Sequence, residues 1–267
     1  MKIEFYYPKD KTLKKYIQGY YFISEEKKAD SFRYNTFPNN YNIISVCQNA
    51  KVEFKGNKFV VSPTSDKNIK TNLVCSYSKP IEVLYKQPIN EITIYFKPLG
   101  ILHFVNVPEI FNQQIFENFD PVTDFKVEME SIFDQPNRET QIEHLENYWL
   151  SKFEKREFYL IEEIVSDIEE NMKVQEIAEK YNLTRQYVNK LFLKFTGKTA
   201  SEYRKIHRFR NAVSRHKKSK NLTVLSYDNF FFDQSHFIKE FKALTDVNPN
   251  YFFKTVDMKN ENIWLII

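Results

Sequence analysis

Glycine is scarce in this chain: four residues in 267. A phosphate-cradling glycine-rich loop is absent, and so is the Gly-x-Ser-x-Gly nucleophile elbow. Cysteine is scarcer. Cys47 and Cys75 are too few for a four-cysteine zinc site; a bridge between them is one reading, and free thiols of a reducing compartment are the favoured one. The five histidines, His103, His144, His207, His216 and His236, are dispersed, and none pair at ligand spacing in the strand-rich region. No metal, no cofactor and no catalytic residue is therefore expected, and the chain does not read as an enzyme. No run of 18 apolar residues exists, so no membrane span is expected. A secretory leader would need an apolar stretch that Lys9, Asp10, Lys11, Lys14 and Lys15 interrupt, so a cytoplasmic location is expected.

What is present is concentrated. The net charge is only +4, yet 180–220 holds thirteen Lys/Arg against one acid, Glu202, so that the rest of the chain nets −8. A basic block carrying aromatics is the electrostatic footprint of a nucleic-acid-binding domain. Inside it, Ile177 to Lys180 closes a short apolar helix and three residues turn the chain. Thr184 then stands where a hydroxyl caps a second helix. Val188, Leu191, Phe192 and Phe195 give that helix a buried stripe. Arg185, Gln186, Asn189, Lys190 and Lys194 lie off the stripe. Two helices, a three-residue turn and an amide- and base-rich outer face make a helix-turn-helix pattern.

The pattern recurs. Leu225-Ser226 stands for Ile177-Ala178, and Phe237, Phe241 and Leu244 repeat Val188, Phe192 and Phe195. The offset is 49 residues after the turn and one shorter before it, so the second turn carries one extra residue. Asp233 is placed to cap the second outward helix, followed by Gln234, Ser235, His236 and Lys239. An internal repeat of this length is a strong signal. Between the copies, Tyr203, Ile206, Phe209 and Val213 share one face over 200–218, which predicts a helix about 28 Å long. That suits two outward helices set near successive major grooves, about 34 Å apart on one side of a duplex.

These residues resemble the DNA-binding domain of the AraC/XylS family of bacterial transcription regulators. The family's second signature, a Gly-Phe pair followed by Asp-Gln-Ser-His-Phe, stands here as Phe230-Phe231-Phe232-Asp233-Gln234-Ser235-His236-Phe237. Phe241-Lys242 and Pro249 match its later positions. Arg208-Phe209 with Ala212 matches its linker helix, and Phe192 to Gly197 matches its Phe-x-x-x-Thr-Gly. The resemblance covers about 100 residues. It implies that Gln186, Asn189 and Lys190, and Gln234, Ser235 and Lys239, face base edges or phosphates. Thr184, Arg185, Lys194, Arg208 and His236 complete the expected DNA-binding set, with Arg208 holding phosphate and His236 touching the backbone or packing. Two glycines of the family are replaced, by Phe230 and Asp246. A bulky residue is disfavoured at positive φ, so the second turn is expected to be reshaped.

Upstream, Leu13, Tyr16, Ile17 and Tyr20 suggest a helix within 8–23. From 35 to 97 the period changes, and strands are expected at 41–46, 51–54, 58–61, 73–77, 82–85 and 91–96, with Lys55-Gly56-Asn57 as a hairpin turn. Pro108 and Pro121 read as first-turn prolines of helices, with Asp120 as a cap. Ile142, Leu145, Trp149 and Phe153 form a helical stripe that either pairs two subunits or packs on the strands. Ile161, Ile164, Val165 and Ile168 mark the first helix of the DNA-binding domain.

The fold class is thus α+β. Residues 1–155 would form a small β-barrel or sandwich (strands about 35–97, helices about 100–155) for sensing or dimerisation, cupin-like by the resemblance. Residues 156–258 would form an all-α double helix-turn-helix domain, and 259–267 an apolar tail that docks. The expected function is a sequence-specific DNA-binding transcription regulator whose two recognition helices read adjacent major grooves, modulated by the N-terminal domain. The expected partner is double-stranded DNA. RNA polymerase, a small-molecule effector and a second copy of the chain are further candidates. The rival reading is a ligand- or carbohydrate-binding barrel, or an enzyme, fused to a helix-turn-helix module.

Overall fold

The computed structural model describes residues 2–24, 31–107, 110–216, 219–256 and 264–266. Two compact units emerge. One comprises Met1–Arg33, Tyr41–Cys75 and Val83–Glu157; the other comprises Tyr34–Asn40, Ser76–Glu82 and Phe158–Ile267.

The N-terminal part supplies ten strands in chain order: β1 Lys2–Tyr6, β2 Ile17–Ser24, β3 Phe32–Thr36, β4 Asn42–Gln48, β5 Ala50–Lys55, β6 Lys58–Pro63, β7 Ile69–Val74, β8 Ile81–Tyr85, β9 Asn90–Phe96 and β10 Ile115–Glu117. Helix α1 spans Leu13–Tyr16, α2 Phe125–Phe133 and α3 Arg138–Ser151. One sheet runs β1-β2-β9-β4-β7-β10, and β3-β8-β6-β5, with the C-terminal strand Trp264–Ile266 added at the β3 edge, form the other, which makes a β-sandwich. The central strands β4 and β9 are buried along most of their length, with polar Ser45, Glu91 and Thr93 among their residues, because neither face meets water. At the β5–β6 hairpin Lys55 pairs with Lys58, and Gly56 takes φ +61° in the turn.

The core of this unit lies under the first sheet. Tyr20, Phe22, Ile44, Ile92, Ile94 and Phe96 meet Phe125 and Met129 of α2 and Ile142, Leu145 and Trp149 of α3. The Trp149 ring lies 5.0 Å from that of Phe96. The α3 stripe is thus consumed by packing on the strands, the second of its two expected roles. Asn137 caps α3 by accepting from the Thr140 N–H at 3.0 Å. Cys47 and Cys75 are both buried free thiols.

Three expectations are corrected. The helix expected within 8–23 shrinks to α1, because Ile17–Ser24 is a strand inserted between β1 and β9. Buried along most of its length, it lacks the alternation that marks a strand, and its apolar run imitates a helix stripe. The strand expected at 73–77 is Ile69–Val74. Asp120 and Pro121 do not open a helix; α2 starts at Phe125, and Asp120 pairs with Lys126 at 3.0 Å instead. Pro108 and the tail at 259–263 and Ile267 lie outside the described residues. Within the tail, Trp264–Ile266 forms β11, which pairs antiparallel with Tyr34–Thr36.

The second unit is helical: α4 Tyr159–Glu169, α5 Val174–Lys180, α6 Arg185–Thr196, α7 Ala200–Arg215, α8 Leu222–Asp228, α9 Gln234–Thr245 and α10 Pro249–Thr255. Helix α7 is shared. Tyr203 meets Phe192 of α6 at 5.4 Å, and Phe209 meets Phe241 of α9 at 5.1 Å. Its 16 residues span about 24 Å. The segments Tyr34–Asn40 and Ser76–Glu82 belong to this unit. Phe37 packs at 4.9 Å on Phe252, and the Tyr77 hydroxyl donates to the Phe37 carbonyl at 2.7 Å.

Candidate nucleic-acid interface

The two helix-turn-helix units are built by the same hydrogen bonds, one repeat apart. Leu183 N–H donates to the Ala178 carbonyl at 2.8 Å, and Phe231 N–H to that of Ser226 at 3.0 Å. Thr184 caps α6 by accepting from Tyr187 N–H at 3.1 Å, and Asp233 caps α9 by accepting from His236 N–H at 2.7 Å. At the far ends, Thr196 donates to the Phe192 carbonyl at 2.7 Å and Thr245 to that of Phe241 at 2.8 Å. The turn and N-cap bonds close groups that the ends of a helix otherwise leave orphaned. Val188, Phe192, Phe237 and Phe241 are almost wholly buried, so the opposite faces of α6 and α9 point outward.

The turns also match in backbone. Asn182 takes φ +53° in the first, and Phe230 takes φ +61° in the second. Gly197 and Asp246 end α6 and α9 at φ +71° and +60°. The expected reshaping of the second turn is therefore corrected: Phe230 adopts the left-handed conformation that its β-carbon disfavours. That conformation costs a non-glycine residue about 1–2 kcal/mol. Its ring is 60% exposed, so little burial offsets the cost.

On α6, Arg185, Gln186, Lys190 and Lys194 are exposed, as is Thr184 before it. Asn189 is different. Its Oδ1 accepts from the Ala200 N–H at 3.1 Å, fastening α6 to the first turn of α7. Arg208 is different again. Its guanidinium donates to Glu240 at 2.8 Å and to the Phe230 carbonyl at 3.2 Å, and lies 4.7 Å from the Phe231 ring centre. Its side chain is only 10% exposed, which leaves no face for phosphate and corrects that expectation. On α9, Ser235 and Lys239 are exposed. Gln234 is half-buried and its Oε1 accepts from Thr223 at 2.7 Å. His236 Nε2 lies 3.1 Å from Glu240, and its ring 6.0 Å from Phe231, so it packs.

Some positions were not evident from sequence spacing. Tyr187 sits on the first turn of α6 and is 45% exposed, one repeat before His236. Lys79, far away in sequence, pairs with Asp246 at 2.8 Å within the same unit. With Ser235, Ile238, Lys239, Lys242 and Ala243 it lines a concavity of about 510 Å³ along α9. The lone acid of the basic block is explained: Glu202 and Thr199 cap α7 reciprocally, at 2.9 and 3.2 Å, so its carboxylate is spent on the helix terminus. Among the described residues, no group of three or more His, Cys, Asp or Glu is arranged to hold a metal, and no helix is long and apolar enough to cross a membrane.

Two capped, basic outward helices joined by a shared helix, buried along one face, define a DNA-binding transcription regulator. Residues 177–255 match a family model described as a helix-turn-helix domain. With the motif residues in place, residues 177–255 are similar to the AraC-type helix-turn-helix domain. No curated protein matches the chain. Solved structures similar to it include ToxT from Vibrio cholerae at 1.65 Å resolution, with 17% identity over 88% of this chain and 96% of that one, and a TM-score of 0.45. Another is ToxT bound to (E)-4-(8-methylnaphthalen-1-yl)but-3-enoic acid, with 18% identity over 88% and 97% and a TM-score of 0.44. A third is ToxT bound to an unsaturated fatty acid, with 17% identity over 87% and 92% and a TM-score of 0.43.

Proposed function

We propose that this regulator acts in the cytoplasm and reads one asymmetric DNA site with both outward helices. In this reading, 156–258 bind DNA and 1–155 modulate binding in response to a small molecule; no catalytic role is assigned. The observation that carries it is the duplicated set of caps and turns, which leaves two exposed polar faces on the two ends of α7. Arg185, Gln186 and Lys190 read bases or hold phosphates from α6, with Thr184 and Lys194 at its edges. Ser235 and Lys239 do so from α9, with Gln234 reached once Thr223 releases it. Asn189 keeps its Nδ2 donors for DNA while its oxygen holds α7. Each bidentate amide or cation contact discriminates by about 1–3 kcal/mol.

The effector reading draws support from inside the sandwich. Glu91 is 5% exposed, and its carboxylate accepts from Tyr85 and Thr93 at 2.7 Å and from Ser45 at 2.9 Å. The Cys47 thiol lies 3.5 Å from it and is pushed well up by burial and then by that carboxylate. A buried ionisable group is costly to a fold and is a candidate functional group. RNA polymerase and a second copy of the chain remain candidate partners.

The test is DNA selection with the full-length protein, then titration of the enriched site at two salt concentrations. One motif spanning about two helical turns is expected, with roughly 10³-fold weaker binding at 200 mM than at 50 mM salt. Gln186→Ala is expected to relax a single base position. A motif half as long would remove α9 from the reading, and no enrichment by either the full chain or its apo and metabolite-supplemented forms would sink it.

A further inference from the structure

Phe232 is the extra residue of the second turn. The two repeats are offset by 48 residues through Leu183 and Phe231, and by 49 from Thr184 and Asp233, so Phe232 alone lies between the matched positions. At 85% exposure it is the most exposed large apolar side chain among the described residues. An apolar residue just before a helix cap ordinarily staples to the fourth residue of the helix. Here that partner is Phe237, and Phe231 occupies it at a ring distance of 5.0 Å. The fold leaves the Phe232 ring in water, immediately ahead of the cap of α9.

We infer that Phe232 is a specificity-determining residue of the second helix-turn-helix unit, making an apolar contact with the 5-methyl group of a thymine in the major groove. This rests on the reading above that α9 enters a major groove. The residues at the N-terminal end of a recognition helix are those that meet base edges. Among major-groove groups, the thymine methyl is the apolar one, and Phe is among the side chains that contact it. A phenyl ring offers nothing to a phosphate, whereas exposed Lys239 on α9 does.

The test uses the full-length protein and its selected site, with each thymine in turn replaced by deoxyuridine, which removes only the methyl. At one thymine of the half-site assigned to α9, the wild type is expected to lose affinity about fourfold, the worth of one buried methyl-sized group. Phe232→Ser is expected to bind the thymine site more weakly and to show no further loss with deoxyuridine, while Phe232→Leu keeps the discrimination. Because the ring is exposed, both variants are expected to melt with the wild type. If the wild type tolerates deoxyuridine throughout that half-site, or if Phe232→Ser remains equally sensitive, the thymine contact is overturned and the regulator reading stands. If no site is selected at all, both fall.

Discussion

Arg208 shows how a side chain's partners decide its role. It sits in the basic block, where a cation is expected to hold phosphate. In the fold it is enclosed by Glu240, the Phe230 carbonyl and the Phe231 ring. Removing one member of such a buried pair leaves the other charge uncompensated. Arg208→Ala is therefore expected to destabilise the domain by roughly 3 kcal/mol, read as a lower denaturant midpoint. A variant of unchanged stability that binds every DNA sequence more weakly would return Arg208 to the phosphate-binding set. Asn189 follows the same logic. Its spacing marks an outward face, but its oxygen closes the orphaned N–H of Ala200. Neither role is legible in sequence, because each partner is supplied by another helix, 32 residues away for Arg208 and 11 for Asn189.

The turns and caps lie at the scale of elements. Where the first turn places Asn182 at positive φ, the second places Phe230. Asparagine tolerates that conformation better than a bulky aromatic. Phe230→Asn transplants the solution of the first turn into the second and keeps the carbonyl that Arg208 uses. It is expected to raise stability by about 1 kcal/mol, seen as a higher denaturant midpoint. A fall would mean that the exposed ring is held by contacts its exposure does not suggest. Most of these elements were legible. Thr184, Asp233 and the 3.6-residue stripes are local signals, and both helix pairs and α7 form where those signals place them. Strand β2 was not, because Tyr20-Tyr21-Phe22-Ile23 is buried between two neighbouring strands, and a strand wetted on neither face carries no alternation to read. Lys79 beside α9 was illegible for a related reason: chain entry into a second unit depends on tertiary packing.

At the scale of the whole molecule, titration couples to folding through two histidines of the helical unit. Burial holds both His207 and His216 below the ordinary value of 6.5; for His207, Glu169 opposes the shift. A histidine depressed in the folded state takes its proton more readily when unfolded. Its stabilising contribution is thus complete above 6.5 and is lost as pH falls through that value toward the folded pKa. The melting temperature of the full chain is expected to drop between about pH 7.5 and about pH 5.5. His216 lies flat on Phe253, with ring centres 3.5 Å apart. His216→Phe keeps that stacking and removes the proton site, so it is expected to flatten part of the pH dependence. An identical slope in the variant would exclude His216 as a contributor.

The duplication within one chain has a consequence for information. Two copies of a single reading head, related by a two-fold axis, see the same letters from either side and cannot distinguish left from right along a duplex. Here the heads differ: Arg185, Gln186 and Lys190 on α6 stand against Ser235 and Lys239 on α9, with Phe232 ahead of them. A single chain engaging DNA through both heads thus carries an arrow, and its bound orientation itself specifies a direction of travel along the helix.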